Sequence, residues 1–145
     1  MKAEQDTRSL CPSASPEMGE ASAFAILTEG SRVRVGYLRE PIDVASLALP
    51  ATVEIAAVFR LSAKCMGGRC ANFESDHCAL AARIVEHLEP VVTSIPPCAI
   101  RSECRWWREK GSDACIRCPQ VVTRNTSPTS REIAAAGEKA AFKIA

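Results

Sequence analysis

The sequence has no long apolar run and almost no net charge. No segment approaches the roughly 18–20 consecutive apolar residues that a transmembrane helix needs, so we expect no membrane span. The formal net charge is +1 at pH 7, and charge alone therefore predicts neither a nucleic-acid nor a membrane partner. Residues 1–20 lack the apolar core of a secretory signal. We expect a cytoplasmic protein.

Common enzyme motifs are also missing. The chain contains no GxSxG, HExxH, P-loop or dinucleotide-binding fingerprint, and no internal repeat is evident. A Cys–His nucleophile pair would have to use His77 or His87, the two histidines of the chain. The motif content favours a protein that is not an enzyme and leaves a thiol enzyme as an open alternative.

Cysteine, in contrast, is plentiful, with eight residues in the chain. Disulfides are rare in a reducing cytosol, where clustered thiols more often bind metal or carry out redox chemistry. Metal or cluster binding is therefore the leading interpretation. Structural disulfides and unligated thiols are the alternatives.

Four cysteines, here called the C-terminal cysteine group, lie within the stretch CAIRSECRWWREKGSDACIRCP. They are Cys98, Cys104, Cys115 and Cys118, with the spacing C-x5-C-x10-C-x2-C. Four cysteines are enough for an iron–sulfur cluster, and irregular spacing is normal for one. The neighbouring arginines would stabilise an anionic cluster. We predict that these four cysteines bind one iron–sulfur cluster, of the 4Fe–4S type.

Three further cysteines, here called the N-terminal cysteine group, are Cys65, Cys70 and Cys78. We predict that they bind metal, with the adjacent His77 as a possible fourth ligand. A site shared with the C-terminal cysteine group and a Cys65–Cys70 redox pair are the alternatives. Cys11 is far from the others in sequence and is predicted not to be a ligand.

Zinc is the alternative to an iron–sulfur cluster. Zinc sites usually combine two short pairs of the type C-x2-C, and the chain has only one, Cys115 to Cys118. A zinc-stabilised module would bind a protein or a nucleic acid, although the basic residues near the cysteines form no continuous stripe. An iron–sulfur protein would instead need a redox partner protein.

The cysteine-rich stretch also resembles known sequences. The elements that match are Cys98, Arg101, Cys104-Arg105-Trp106, Gly111, Ala114-Cys115 and Cys118-Pro119, followed by QVVT. In these elements, within residues 50–123, the chain resembles a group of uncharacterised bacterial cysteine-rich proteins. The Cys-Pro ending resembles the end of ferredoxin cluster-binding runs. The first resemblance implies a defined cysteine-ligand module, and it implies no particular activity.

Hydrophobic patterning predicts the fold. Residues 1–20 read as a disordered tail, residues 21–123 as a single cysteine-rich domain, and residues 124–145 as a flexible or helical tail. The fold class predicted for the domain is α+β, with a small antiparallel sheet of about three strands, followed by helices and a Cys-rich metal-binding region.

The predicted elements follow from the same patterns. Strands are predicted over residues 23–27, 31–38 and 52–61, with Glu29-Gly30 as a hairpin turn. A helix is predicted from Ser75 to Glu89, and a second over residues 103–110 with Gly111 after its end. Because the sheet is small, we expect bound metal to contribute to folding.

Overall fold

A computed structural model describes residues 9–28, 32–125 and 127–137. Its largest element is a four-stranded antiparallel sheet with the strand order β1-β4-β2-β3. The strands are β1 (Leu10–Ala14), β2 (Ser22–Leu27), β3 (Val35–Asp43) and β4 (Phe59–Lys64). The α+β class with an antiparallel sheet is confirmed, and the sheet has one strand more than predicted.

Short elements follow the sheet along the chain. A hairpin consists of β5 (Phe73–Glu74) and β6 (His77–Cys78). The described residues form four α-helices, which are α1 (Ala79–His87), α2 (Arg105–Lys110), α3 (Ser112–Cys115) and α4 (Ser130–Ala136). None of the helices in these described ranges is long and apolar enough to cross a bilayer.

Strand β1 corrects the expectation of a disordered tail. Residues 10–14 pair with the central strand β4, with Leu10 opposite Lys64 and Cys11 opposite Ala63. Pro12 is compatible with this strand because β1 lies at the edge of the sheet, where one side of the strand needs no partner. Pairing with β4 makes this segment a regular strand, which its sequence alone does not predict. Residues 1–8 lie outside the described residues.

The other strands differ from prediction in their limits. Strand β4 is Phe59–Lys64, whereas the alternation had predicted a strand over residues 52–61. Ile55–Ala57 is a 3-10 turn instead, because its backbone N–H groups bond to carbonyls three residues back and not to a neighbouring strand. The predicted turn at Glu29-Gly30 lies outside the described residues.

Helix α1 begins later than predicted. Ser75 is not its N-cap, because Ser75 and Asp76 have positive φ angles of 48° and 67° and form the turn between β5 and β6. Cys78 takes the N-cap position, and the helix ends at His87. The serine that resembled a cap is therefore a hairpin residue.

The second predicted helix is divided in two. A 3-10 turn over Arg101–Glu103 comes first, and α2 starts after Cys104, its N-cap residue. Gly111 follows α2 with a φ angle of 60°, as predicted, because a left-handed position favours glycine. A separate short helix, α3, follows Gly111 and ends at Cys115.

The helices pack against one side of the sheet and against each other. Phe24 and Val35 of the sheet join Ile84 of α1 and Trp106 of α2 in one apolar cluster. Helix α4 is attached to α1 by Arg83, whose Nε donates to the carbonyl of Ala135 at 2.9 Å. A second apolar cluster includes Ala14, Leu61 and Ala63. Several cysteines lie at the edge of the first cluster, as described next.

Candidate functional site

The C-terminal cysteine group converges on one cavity. Cys98 precedes the 3-10 turn, Cys104 caps α2, Cys115 ends α3, and Cys118 begins a further 3-10 turn. Cys104, Cys115 and Cys118 are therefore placed at the ends of short elements, and Cys98 lies in the loop before them. All four cysteines line the same cavity. The structure thus places the four predicted ligands around one cavity, and their binding of a single group stays a prediction.

The rest of this cavity is almost entirely apolar. One charged side chain, that of Arg101, lies among the lining residues. The remaining lining residues are Pro12, Phe24, Tyr37, Ile100, Trp106 and Ala114. Cys104 is buried in these surroundings, and Cys98, Cys115 and Cys118 are partly buried.

Burial raises the pKa values of Cys98, Cys104 and Cys115. Burial, together with the charges of Cys118 and Cys98, raises the pKa of Cys104 to about 12. Burial also raises the pKa of Cys98, and so do the charges of Cys118 and Cys115. Thiolates repel one another in this way only when they are close together. Thiolates formed at these positions would repel one another, and a bound cation would relieve that repulsion.

Backbone N–H groups and one guanidinium act to lower the pKa values of two of these thiols, Cys104 and Cys115. The N–H groups of Trp107 and Trp106, at the start of α2, oppose the rise in the pKa of Cys104. Burial raises the pKa of Cys115, while Arg101 opposes that rise through a hydrogen bond and its charge. Such donors are the groups that stabilise a ligating thiolate.

Arg60 lies beside this cysteine group, and the sequence did not indicate that it would. It is fully buried on β4, and its guanidinium donates to the carbonyl oxygens of Pro12 at 2.9 Å, Cys118 at 3.0 Å and Val121 at 2.9 Å. Its Nη2 also lies 3.3 Å from Sγ of Cys118. In the strand predicted over residues 52–61, alternation sets Arg60 on the face opposite Val53, Ile55 and Phe59, so nothing in that pattern predicts a buried arginine.

Arg60 also stays charged in this position. Burial acts to lower the pKa of Arg60, but Cys118, Tyr37 and Cys104 outweigh it and raise that pKa. A buried cation at the sulfur of Cys118 therefore offsets part of the negative charge that four thiolates would carry.

The N-terminal cysteine group lies where β4 leaves the sheet and passes into the β5–β6 hairpin. Cys65 follows β4, Cys70 follows a 3-10 turn, and Cys78 ends the hairpin. The N–H of Gly67 donates to Sγ of Cys65 at 3.4 Å. The N–H of Asn72 donates to Sγ of Cys70, also at 3.4 Å.

Helix α2 holds the hairpin in place. Both carboxylate oxygens of Glu109 accept from the N–H of Cys78, at 2.9 and 3.1 Å. Glu109 also forms an ion pair with Arg105 one turn earlier, and Arg105 donates to the carbonyl of Asp76 at 3.1 Å. The position of Cys78 thus depends on the helix that carries Cys104.

The three cysteines of this group line a second, larger cavity of about 830 Å³. His77 does not line it. Its ring is exposed, with Nδ1 3.4 Å from the carbonyl of Ser75. Cys11, which was predicted to be remote, does line this cavity. The structure therefore brings Cys11, and not His77, to the three cysteines.

Within the part of the chain that the structure describes, two buried nitrogens near the cysteines have no partner. They are Nε of Arg101 and Nε1 of Trp106. Trp106 is 2% exposed and borders both cysteine-lined cavities. A buried N–H without an acceptor costs roughly 1–3 kcal/mol. A sulfur-rich group bound beside Trp106 would supply an acceptor.

All eight cysteines are free thiols. Among the described residues, no three His, Cys, Asp or Glu side chains lie together as ligands of a single metal ion. Four thiolates around one zinc lie about 2.3 Å from the metal, whereas the ligands of a cluster bind separate irons and stand farther apart.

The chain was compared with protein-family models, with curated proteins and with solved structures. It matches none of them.

Proposed function

We propose that this chain is a small cytoplasmic iron–sulfur protein that works in electron transfer or redox sensing. In this proposal, Cys98, Cys104, Cys115 and Cys118 bind a cluster of the 4Fe–4S type. The observation that carries the proposal is their convergence on one apolar cavity with a guanidinium 3.3 Å from one sulfur.

The residues present suit such a group. Four thiols supply the four ligands, and the apolar lining formed by Phe24, Ile100 and Trp106 limits the access of water. The unpartnered Nε1 of Trp106 and Nε of Arg101 are donors without acceptors. Hydrogen bonds to sulfur and burial are among the factors that set the reduction potential of a cluster.

The protein's contribution to the redox chemistry is electrostatic. A bound cluster would accept one electron from a donor protein and return it to an acceptor protein. Arg60 and Arg101 would stabilise the more negative reduced form, because both are cations at the sulfurs. Burial of Arg60 prevents water from screening its charge. These two arginines therefore favour reduction.

The first test is anaerobic purification of the full chain, followed by a visible spectrum and metal analysis. We expect a brown protein that contains iron and acid-labile sulfide. A colourless protein with stoichiometric zinc would refute the proposal and support the zinc-stabilised interaction module instead.

The second test replaces Cys98, Cys104, Cys115 and Cys118 by Ser one at a time. Each replacement should remove about four irons per chain, the content of one 4Fe–4S cluster. Ser102→Ala is the matched control, since Ser102 is exposed in the same segment, and it should retain all of its iron. Unchanged iron in the four cysteine variants would contradict the assignment.

A further inference from the structure

The N-terminal cysteine group lacks a fourth ligand within its own segment. We propose that Cys11 supplies it, so that Cys11, Cys65, Cys70 and Cys78 bind a second iron–sulfur cluster. This inference rests on the proposed function, and it replaces His77 by Cys11 as the fourth ligand. The protein would then carry two metal centres, one on each side of strand β1.

The register of the sheet brings Cys11 to Cys65. Cys11 lies opposite Ala63 on β4, and the N–H of Cys65 donates to the carbonyl of Ser9 at 2.7 Å. Cys11 and Cys65 are thus diagonal neighbours across an antiparallel pair. Diagonal neighbours lie on the same face of the sheet, with their Cα atoms about 7–8 Å apart. This Cα–Cα spacing is fixed by backbone hydrogen bonds and does not depend on side-chain rotamers.

The four thiols share one cavity. Cys11, Cys65, Cys70 and Cys78 all line the larger cavity. Cys65 is buried, and the other three cysteines are partly buried. The set therefore matches the C-terminal cysteine group in ligand number.

Backbone donors are also provided for these sulfurs. The N–H groups of Gly67 and Asn72 donate to Cys65 and Cys70. In each case the donor is the residue two positions after the cysteine. This repeated arrangement stabilises thiolates, whereas a neutral buried thiol does not need it.

The two sites are neighbours in the fold. Successive residues of β1 border different cavities, Cys11 the larger one and Pro12 the one of the C-terminal cysteine group. Trp106 borders both. A buried indole between two clusters would leave no water between them along that path. The arrangement fits a protein that passes electrons between two adjacent centres.

Binding at this site involves proton release and no net oxidation of the protein. Each of the four thiols loses its proton to solvent as its sulfur–iron bond forms, and the iron and sulfide come from the cell's supply. Iron affinity should therefore increase with pH.

The test measures iron and acid-labile sulfide in the anaerobically purified full chain. Two 4Fe–4S clusters predict about eight irons per chain. Cys11→Ser and Cys11→Val should each retain about four irons, and valine is included because it favours a strand. Leu10→Val on the same strand and His77→Ala are controls that should retain about eight. Circular dichroism shows whether each variant is folded.

Paramagnetic resonance of the reduced protein adds a second readout. The wild-type protein should show the broadened signal of two interacting centres, whereas Cys11→Val should show the simple signal of one. Folded Cys11 variants with wild-type iron content, or a loss of iron in His77→Ala, would overturn the inference. A chain with about four irons that are lost only from Cys98 or Cys104 variants would also overturn it, while leaving the proposed function intact. Absence of iron from the wild-type chain would overturn the proposed function itself.

Discussion

Nη2 of Arg60 lies 3.3 Å from Sγ of Cys118, although the two residues are 58 positions apart in the sequence. The same guanidinium donates to the carbonyl of Pro12 on β1. A residue of the central strand thereby joins the edge strand to the C-terminal cysteine group. Since the charge is fully buried, its hydrogen bonds are necessary to keep it there.

Replacement of Arg60 should therefore destabilise the fold. Arg60→Met leaves the carbonyl oxygens of Pro12, Cys118 and Val121 without their donor, and we expect a loss of about 3 kcal/mol or more in the free energy of unfolding. Urea denaturation measures it. Arg39→Met is the control, because Arg39 is exposed on β3. Equal midpoints for the two variants would show that the buried network contributes little.

Trp106 should influence the potential of a bound cluster. Trp106→Phe removes the unpartnered Nε1–H while it keeps most of the buried ring. If that N–H donates to cluster sulfur, its loss should make the reduction potential more negative, because hydrogen bonds to sulfur stabilise the reduced form. Protein-film voltammetry gives the potential. Trp107→Phe is the matched control, and an identical shift in both variants would contradict the role assigned to Nε1.

Replacement of Glu109 should disturb the N-terminal cysteine group more than the C-terminal cysteine group. Glu109→Ala removes the acceptor for the N–H of Cys78 and the ion-pair partner of Arg105. Hydrogen bonds to charged groups contribute about 1.5–3 kcal/mol, so the free energy of unfolding should fall by about 2 kcal/mol. Iron at the C-terminal cysteine group should persist.

The matched control for Glu109 is Glu103→Ala, because Glu103 is an exposed carboxylate of the preceding turn. Iron content and chemical denaturation should be measured on both variants. A Glu109 variant as stable and as iron-rich as the Glu103 variant would show that the hairpin does not depend on α2.

Removal of metal should weaken the fold, because the sheet is small and the cysteines occupy the boundary between sheet and helices. Each kcal/mol of lost stability lowers the melting temperature by about 2–8 °C for domains of this size range, so several kcal/mol should be evident in a thermal scan. Calorimetry of the chelated and the intact protein measures the difference. Identical melting temperatures would show that metal binding and folding are not coupled.

The sequence by itself determined the local features of this protein. The C-terminal cysteine group lies within a short segment, so its four thiols had to be near one another in any compact fold. Gly111 after α2 could be recognised because only glycine readily adopts its positive φ angle. The antiparallel α+β class followed from alternating strands and a helical apolar stripe.

Tertiary structure alone decided which distant residues join these segments. Cys11 reaches Cys65 through the register of β1 on β4, and no periodicity in a Pro- and Ser-containing segment reports such a register. The burial of Arg60 could not be predicted, because alternation separates two faces of a strand without revealing that both are covered, as they are in β4. His77 and Cys78 are adjacent in sequence, yet His77 is exposed and Cys78 lines the cavity, since successive strand residues point to opposite sides.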